Sequence, residues 1–163
     1  MSPSLTTTEQ ILEALAAGPA RIAECTAGLS AAQLRAAPGP GEWSANEVLA
    51  HLRSCADVWG GCVAAILGQD RPTIRAVNPT TWIKGTGYLE QEFQPSLRAF
   101  AAQRAALLAV LEPLGPEEGA RAATVTGAGK ALERTVLFYA RWMASHERPH
   151  LKQIQRIAGA ARA

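Results

Sequence analysis

Cysteine, histidine and aromatic residues are all scarce in this chain. Its three cysteines, Cys25, Cys55 and Cys62, are an odd number and form no CxxC pair. That argues against a disulfide scaffold and against a structural zinc knuckle. Small thiols in a reducing compartment are the plain reading. Aromatics make up 6%, and β-branched residues are scattered among many alanines, which leans towards helix. An excess of one charge is also lacking. A net charge of +2, with arginines spread along the chain, makes no phosphate-binding stripe, so no nucleic-acid partner is expected. No apolar run reaches the roughly 20 residues that span a bilayer. The start, MSPSLTTTEQ, has neither the basic nor the apolar region of a secretion signal. A cytoplasmic protein with no membrane partner is the expectation.

What is present is a hydrophobic fraction of 48% over 163 residues, enough for one domain with a real core. No internal repeat or composition break divides the chain, so residues 1–163 are expected as a single domain. Four stretches carry helical spacing. The first opens in the Thr6–Gln10 run with Thr7 or Thr8 as cap, and continues through Ile11, Leu12, Leu15, Ile22 and Leu29. Gly18-Pro19 predicts a kink or a break in it. A short extra turn follows at Ser30–Leu34. The second helix is announced by Ser44 and Glu47, a capping box, and places Val48, His51, Cys55, Val58 and Cys62 on one side on its way to Gly68. The third is expected from about Pro95 to Leu111 and the fourth from about Lys130 to Ala158. Residues 69–93 and 113–129, rich in proline and glycine, show no strand pattern. Four helices with one long crossover describe an all-α four-helix bundle.

All three histidines fall on apolar helix faces. At about 100° per residue, Tyr139, Trp142, Met143, His150, Gln153 and Ile157 lie within about 60° of His146. His51 lies on the core side of the second helix. A buried histidine is commonly a hydrogen-bonded core residue. Three that converge from two helices make a site for a divalent ion with a coordination position left open. In ASHERPHLKQI the last two also read as the HExxH of a zinc protease, with Glu147 as general base. Against this, such helices rest beside a sheet with a third ligand downstream. Glu147 also stands about 100° away from His146, so a solvated helix glutamate is expected. Pro149 predicts a bend between the two histidines and leaves the Ser145 carbonyl in need of another partner. Cys55, one turn after His51, lies near enough to approach the same ion as a fourth ligand and close the site. Gln153 is placed to donate a hydrogen bond to an imidazole from behind, or to be a plain edge glutamine. Arg141, Arg148 and Lys152 suit either an anionic cosubstrate or a solvated face.

Two stretches resemble a known family. GEWSANEVLAHL, with Trp43, Ser44, Glu47 and His51, resembles the start of the second helix in the DinB-like superfamily. HERPHLKQI, with His146, His150, Leu151, Gln153 and Ile154, resembles that family's last-helix signature. The order of elements is similar over almost the whole chain. The resemblance implies a four-helix bundle of up-down-down-up topology, with the long crossover between helices 2 and 3. It also implies a divalent metal, commonly zinc or nickel, held by His51, His146 and His150. Pro149, between the last two, departs from the pattern. Relatives include thiol-dependent transferases and isomerases that use mycothiol, bacillithiol or glutathione.

The leading expectation is therefore a metal-dependent enzyme of thiol-transferase type. Its metal activates a low-molecular-weight thiol, and a small-molecule electrophile enters near Trp59, Tyr139 and Trp142. Glu47, Cys55 and Gln153 complete the candidate surroundings. A metal-dependent hydrolase using bound water is the alternative, and a non-enzymatic metal- or ligand-binding bundle is another. Bundles of this kind commonly pair into homodimers.

Overall fold

The computed structural model describes residues 4–163, so the first three residues of the MSPSLTTTEQ start, and of the expected 1–163 domain, lie outside the described residues. Four long helices dominate: α1 (Thr8–Thr26), α3 (Ala45–Gly68), α5 (Phe93–Leu111) and α7 (Val136–Arg162). Three short helices, α2 (Ala31–Arg35), α4 (Pro79–Trp82) and α6 (Pro116–Gly119), lie in the connections. Both α1 and α3 pack against α5 and α7. No described helix is long and apolar enough to cross a membrane.

Local chemistry sets the helix starts. Ser44 Oγ accepts from the Glu47 amide, and Glu47 Oε1 accepts from the Ser44 amide, each at 3.1 Å. Two orphan donors of the first turn of α3 are thereby satisfied. Thr7 with Gln10 and Ser30 with Gln33 do the same for α1 and α2. The third long helix begins at Phe93, so Pro95 falls inside its first turn, where a missing N–H removes no helical bond.

Three sequence expectations are corrected. The described residues hold a small sheet in the order β1-β2-β3, formed by β1 (Thr73–Arg75), β2 (Ala122–Thr126) and β3 (Leu132–Thr135). β1 runs parallel to β2, with Ile74 opposite Val125, and β2 pairs antiparallel with β3, with Thr124 opposite Glu133. Because β3 occupies Leu132–Thr135, α7 begins at Val136 rather than near Lys130, with Thr135 Oγ1 accepting from the Phe138 amide. The Gly127–Gly129 turn between β2 and β3 has φ of +87° and +84° at its two glycines, a region only glycine enters freely. The third correction concerns the break allowed at Gly18-Pro19: α1 is one continuous helix through it. Pro19 has no N–H to offer the Leu15 carbonyl, and Arg104 Nη1 donates to that oxygen instead at 2.8 Å. Helix α7 likewise runs on through Pro149.

The long crossover is lashed to the outer face of α3. Ser54 Oγ donates to the Pro79 carbonyl at 2.6 Å, and Asn46 Nδ2 to the Gln91 carbonyl at 2.8 Å. Asp57 accepts from Trp82, Tyr88 and Gln103. The opposite face of α3, with His51 and Cys55, is thus left for the bundle interior.

The buried apolar residues form two clusters. One gathers Ile11, Leu15, Val63, Ile66, Leu111, Val136 and Met143. The other gathers Ile22, Val48, Leu49, Leu52, Leu97, Phe100, Leu151 and Ile154. Between them along the helices come Gly18, Cys55, Arg104, His146 and Glu147, a polar layer at the middle of the bundle.

Candidate metal centre

Helices α3 and α7 bring three imidazoles together at this polar layer. Ring centroids lie 5.3 Å apart for His51 and His146, 4.8 Å for His51 and His150, and 4.7 Å for His146 and His150. All three rings are half-buried. Cys55, one turn beyond His51, points its Sγ to 3.5 Å from His51 Nε2. One ligand atom each from His51, Cys55 and His146 lies within 4.8 Å of the other two. His150 is not part of that tight set, although its ring adjoins both other rings.

Burial sets the protonation of the site. Desolvation, and then repulsion from His150, lowers the His51 pKa to about 4. Desolvation first, followed by His150 and His51, lowers His146 to about 4 as well. Both rings are therefore neutral at pH 7, with a lone pair to offer a cation. Burial, reinforced by the charge of Glu147, pushes the Cys55 thiol up to about 12. Behind His150, its Nδ1 lies 2.9 Å from Gln153 Oε1. An amide oxygen accepts, so Nδ1 carries the proton and Nε2 keeps the lone pair. Gln153 meets the imidazole as an acceptor, not as the donor expected from the sequence. His146 Nδ1 is buried and has no hydrogen-bond partner among the described residues. A neutral imidazole set, a thiol and an orphaned ring nitrogen fit a divalent cation of the borderline class.

Glu147 is not the solvated residue its helix position suggests. It is buried, and its carboxylate pairs with the guanidinium of Arg104, itself 2% exposed. Arg104 Nη1 reaches Glu147 Oε2 at 3.0 Å, and Nη2 takes Oε1. With both oxygens engaged, its charge is already paired within the bundle, unlike that of an exposed HExxH glutamate. A Cβ on Gly18 would meet Glu147 Oε2 at 3.0 Å, so glycine lets α1 pass this pair. Arg104 was not visible as a partner because it lies 43 positions from Glu147, in another helix.

Tryptophans wall the rings. Trp59 presents an edge to His146 at 4.9 Å between centroids and packs against Trp142. Trp142, expected inside, is 46% exposed, yet stacks near His146 at 6.4 Å. Trp43, which precedes the α3 cap, stacks on His150 at 6.4 Å and tilts against His51 at 5.2 Å. Its place next to Ser44 was the available signal. Tyr139 is buried in the first apolar cluster, against which Cys62 also packs, and Glu47 is committed to the α3 cap. A cleft of about 350 Å³ opens beside His150, lined by Trp43, Glu42, Gln153 and Arg156. On the other side, the space between Cys55, Trp59, Arg104 and His146 is too tight for water. The cleft beside Trp43 thus reaches His150 directly.

None of the curated proteins matches this chain. Among solved structures, the fold is similar to that of YfiT from Bacillus subtilis, described as a probable metal-dependent hydrolase with an unusual four-helix bundle topology. The likeness covers 98% of this chain and 94% of that one, with a TM-score of 0.69 and 20% identity. The family model of the DinB superfamily matches residues 14–154, a span that contains all three histidines, and this chain belongs to the DinB superfamily.

Proposed function

We propose that the protein is a divalent-metal-dependent enzyme, its metal held by His51, His146 and His150 and its reaction the hydrolysis of a small substrate. The observation that carries this reading is the approach of three imidazole rings, from two helices, to within 4.7–5.3 Å of one another. A divalent ion bound there with one position open would supply Lewis acidity and lower the pKa of a water or a thiol. The chain's own residues do the rest. His51 and His146 stay neutral and available, and Gln153 holds the His150 tautomer that exposes Nε2. Trp43 and the cleft beside it admit the substrate, and the tryptophan faces suit its apolar part. Arg156, on the cleft wall, offers a cation to an anionic group. Imidazole donors suit zinc or nickel. The description of YfiT as a probable metal-dependent hydrolase supports this choice of reaction. The bundle itself is read as up-down-down-up, since α1 and α7 enter the first apolar cluster with their N-terminal halves, and α3 and α5 with their C-terminal halves.

Transfer of a low-molecular-weight thiol, such as mycothiol, bacillithiol or glutathione, is the second reading, and one observation favours it. Glu147 is held by Arg104, so the carboxylate that would take a proton from water is not free. A thiol brings a soft nucleophile with affinity for the ion itself. Elemental analysis of protein purified without an affinity tag tests the common core of both readings. Near-stoichiometric metal is expected, and its loss in H51A, H146A and H150A alike. Full metal content in H51A would remove the third ligand from the scheme. Zinc-loaded protein that cleaves esters or amides unaided supports hydrolysis. Turnover of an electrophile only on addition of a thiol supports transfer.

A further inference from the structure

We propose that Cys55 is itself a ligand of the cation, which makes the centre a mixed imidazole–thiolate set. This rests on the metal-dependent reading above and deepens it: with Cys55 as the fourth protein ligand, the reacting water or thiol would enter as a fifth. His51 and Cys55 are four positions apart on α3, a spacing that stacks two side chains on one helix face. Their donor atoms, Nε2 and Sγ, are 3.5 Å apart. In a tetrahedral centre with metal–sulfur and metal–nitrogen distances of about 2.3 and 2.0 Å, nitrogen and sulfur stand about 3.5 Å from each other. The pair is already at the separation that sharing one ion requires.

An S–H···N hydrogen bond would also explain that one distance. It does not account for the third donor. His146 arrives from α7 and completes a set of three ligand atoms, all within 4.8 Å of one another, while its Nδ1 is buried without a partner among the described residues. The other two cysteines are committed elsewhere. Cys25 Sγ donates to the Ile22 carbonyl at 3.4 Å, and Cys62 packs against the first apolar cluster, outside the set of three ligand atoms. When Cys55 binds the ion, its S–H bond is replaced by a sulfur–metal bond and the proton leaves to solvent. A sulfur donor turns the site towards zinc and away from magnesium or manganese, which prefer oxygen.

The test is cobalt(II) titration of the full, untagged, metal-stripped chain with no small thiol present. A sulfur-to-cobalt charge-transfer band in the near ultraviolet is expected in the wild type and in C25S and C62S. It should vanish in C55S and C55A, and both should bind zinc roughly tenfold or more weakly in competition with a chromophoric chelator. Cobalt taken up without a sulfur band overturns Cys55 as a ligand and leaves the metal-dependent reading standing. So does zinc affinity in C55S and C55A equal to wild type while H51A and H146A lose the metal. A wild type that takes up no cobalt overturns both.

Discussion

Each imidazole of the centre has a different neighbour behind or beside it. His51 has Cys55 and Trp43, His146 has the edge of Trp59, and His150 has the amide oxygen of Gln153. The last contact decides which nitrogen of His150 carries a proton, and so which one has a lone pair to give. Replacing Gln153 with leucine removes that acceptor while keeping the bulk at a half-buried site. Zinc affinity should fall about tenfold, the usual scale for losing a partner behind a ligand, with the helical circular-dichroism signal unchanged. Affinity equal to wild type would mean that His150 needs no such orientation. The three histidines could be singled out in the sequence because each sits on an apolar helix face, where an unpaired polar ring is unusual. The state of Glu147 could not, because the group that determines it belongs to a helix far along the chain.

At the scale of the helix, Gly18-Pro19 reads as a defect in α1 and turns out to be a contact. Proline frees the Leu15 carbonyl, Arg104 takes it, and the same guanidinium grips Glu147 next to His146. Glycine leaves the room that the carboxylate occupies. On helix propensity alone, Gly18→Ala should stabilise by about 1 kcal/mol. Here the added Cβ would press on a carboxylate pinned by Arg104, so the variant should be destabilised in urea titration. A gain near the propensity value would show that the pair can move aside. Arg104→Ala should be far worse, by about 3–5 kcal/mol, because it strands a buried carboxylate. The strands were missed for a related reason. Ala122–Thr126 and Leu132–Thr135 are too short for a period to show, and only their pairing with each other and with β1 makes them strands.

Across the whole molecule, a polar layer lies between two apolar clusters, and it couples stability to pH. In the folded protein His51 and His146 have pKa values near 4, against 6.5 for the ordinary side chain. As pH falls below 6.5 the unfolded chain therefore binds protons that the folded chain refuses, and the metal-free protein should lose stability progressively towards pH 4. Above 6.5 these rings should add no slope. Thermal midpoints measured across that range check the prediction, and the double variant H51A/H146A should show a shallower decline. An equal decline would assign the acid sensitivity to other groups.

The sequence alone was enough to establish a helical bundle, the cap of α3 and the three histidines on inward faces, because those depend on residues within a turn or two of each other. Helical periodicity and capping are local, and local chemistry is written in neighbouring letters. Only the tertiary structure decided that Glu147 is neutralised by Arg104, that the Leu15 carbonyl freed by Pro19 is taken from α5, that Cys55 faces His146, and that a cleft beside Trp43 reaches His150. Each of those depends on which helices pack together and in what register, and that is settled by the burial of two apolar clusters from all four long helices at once.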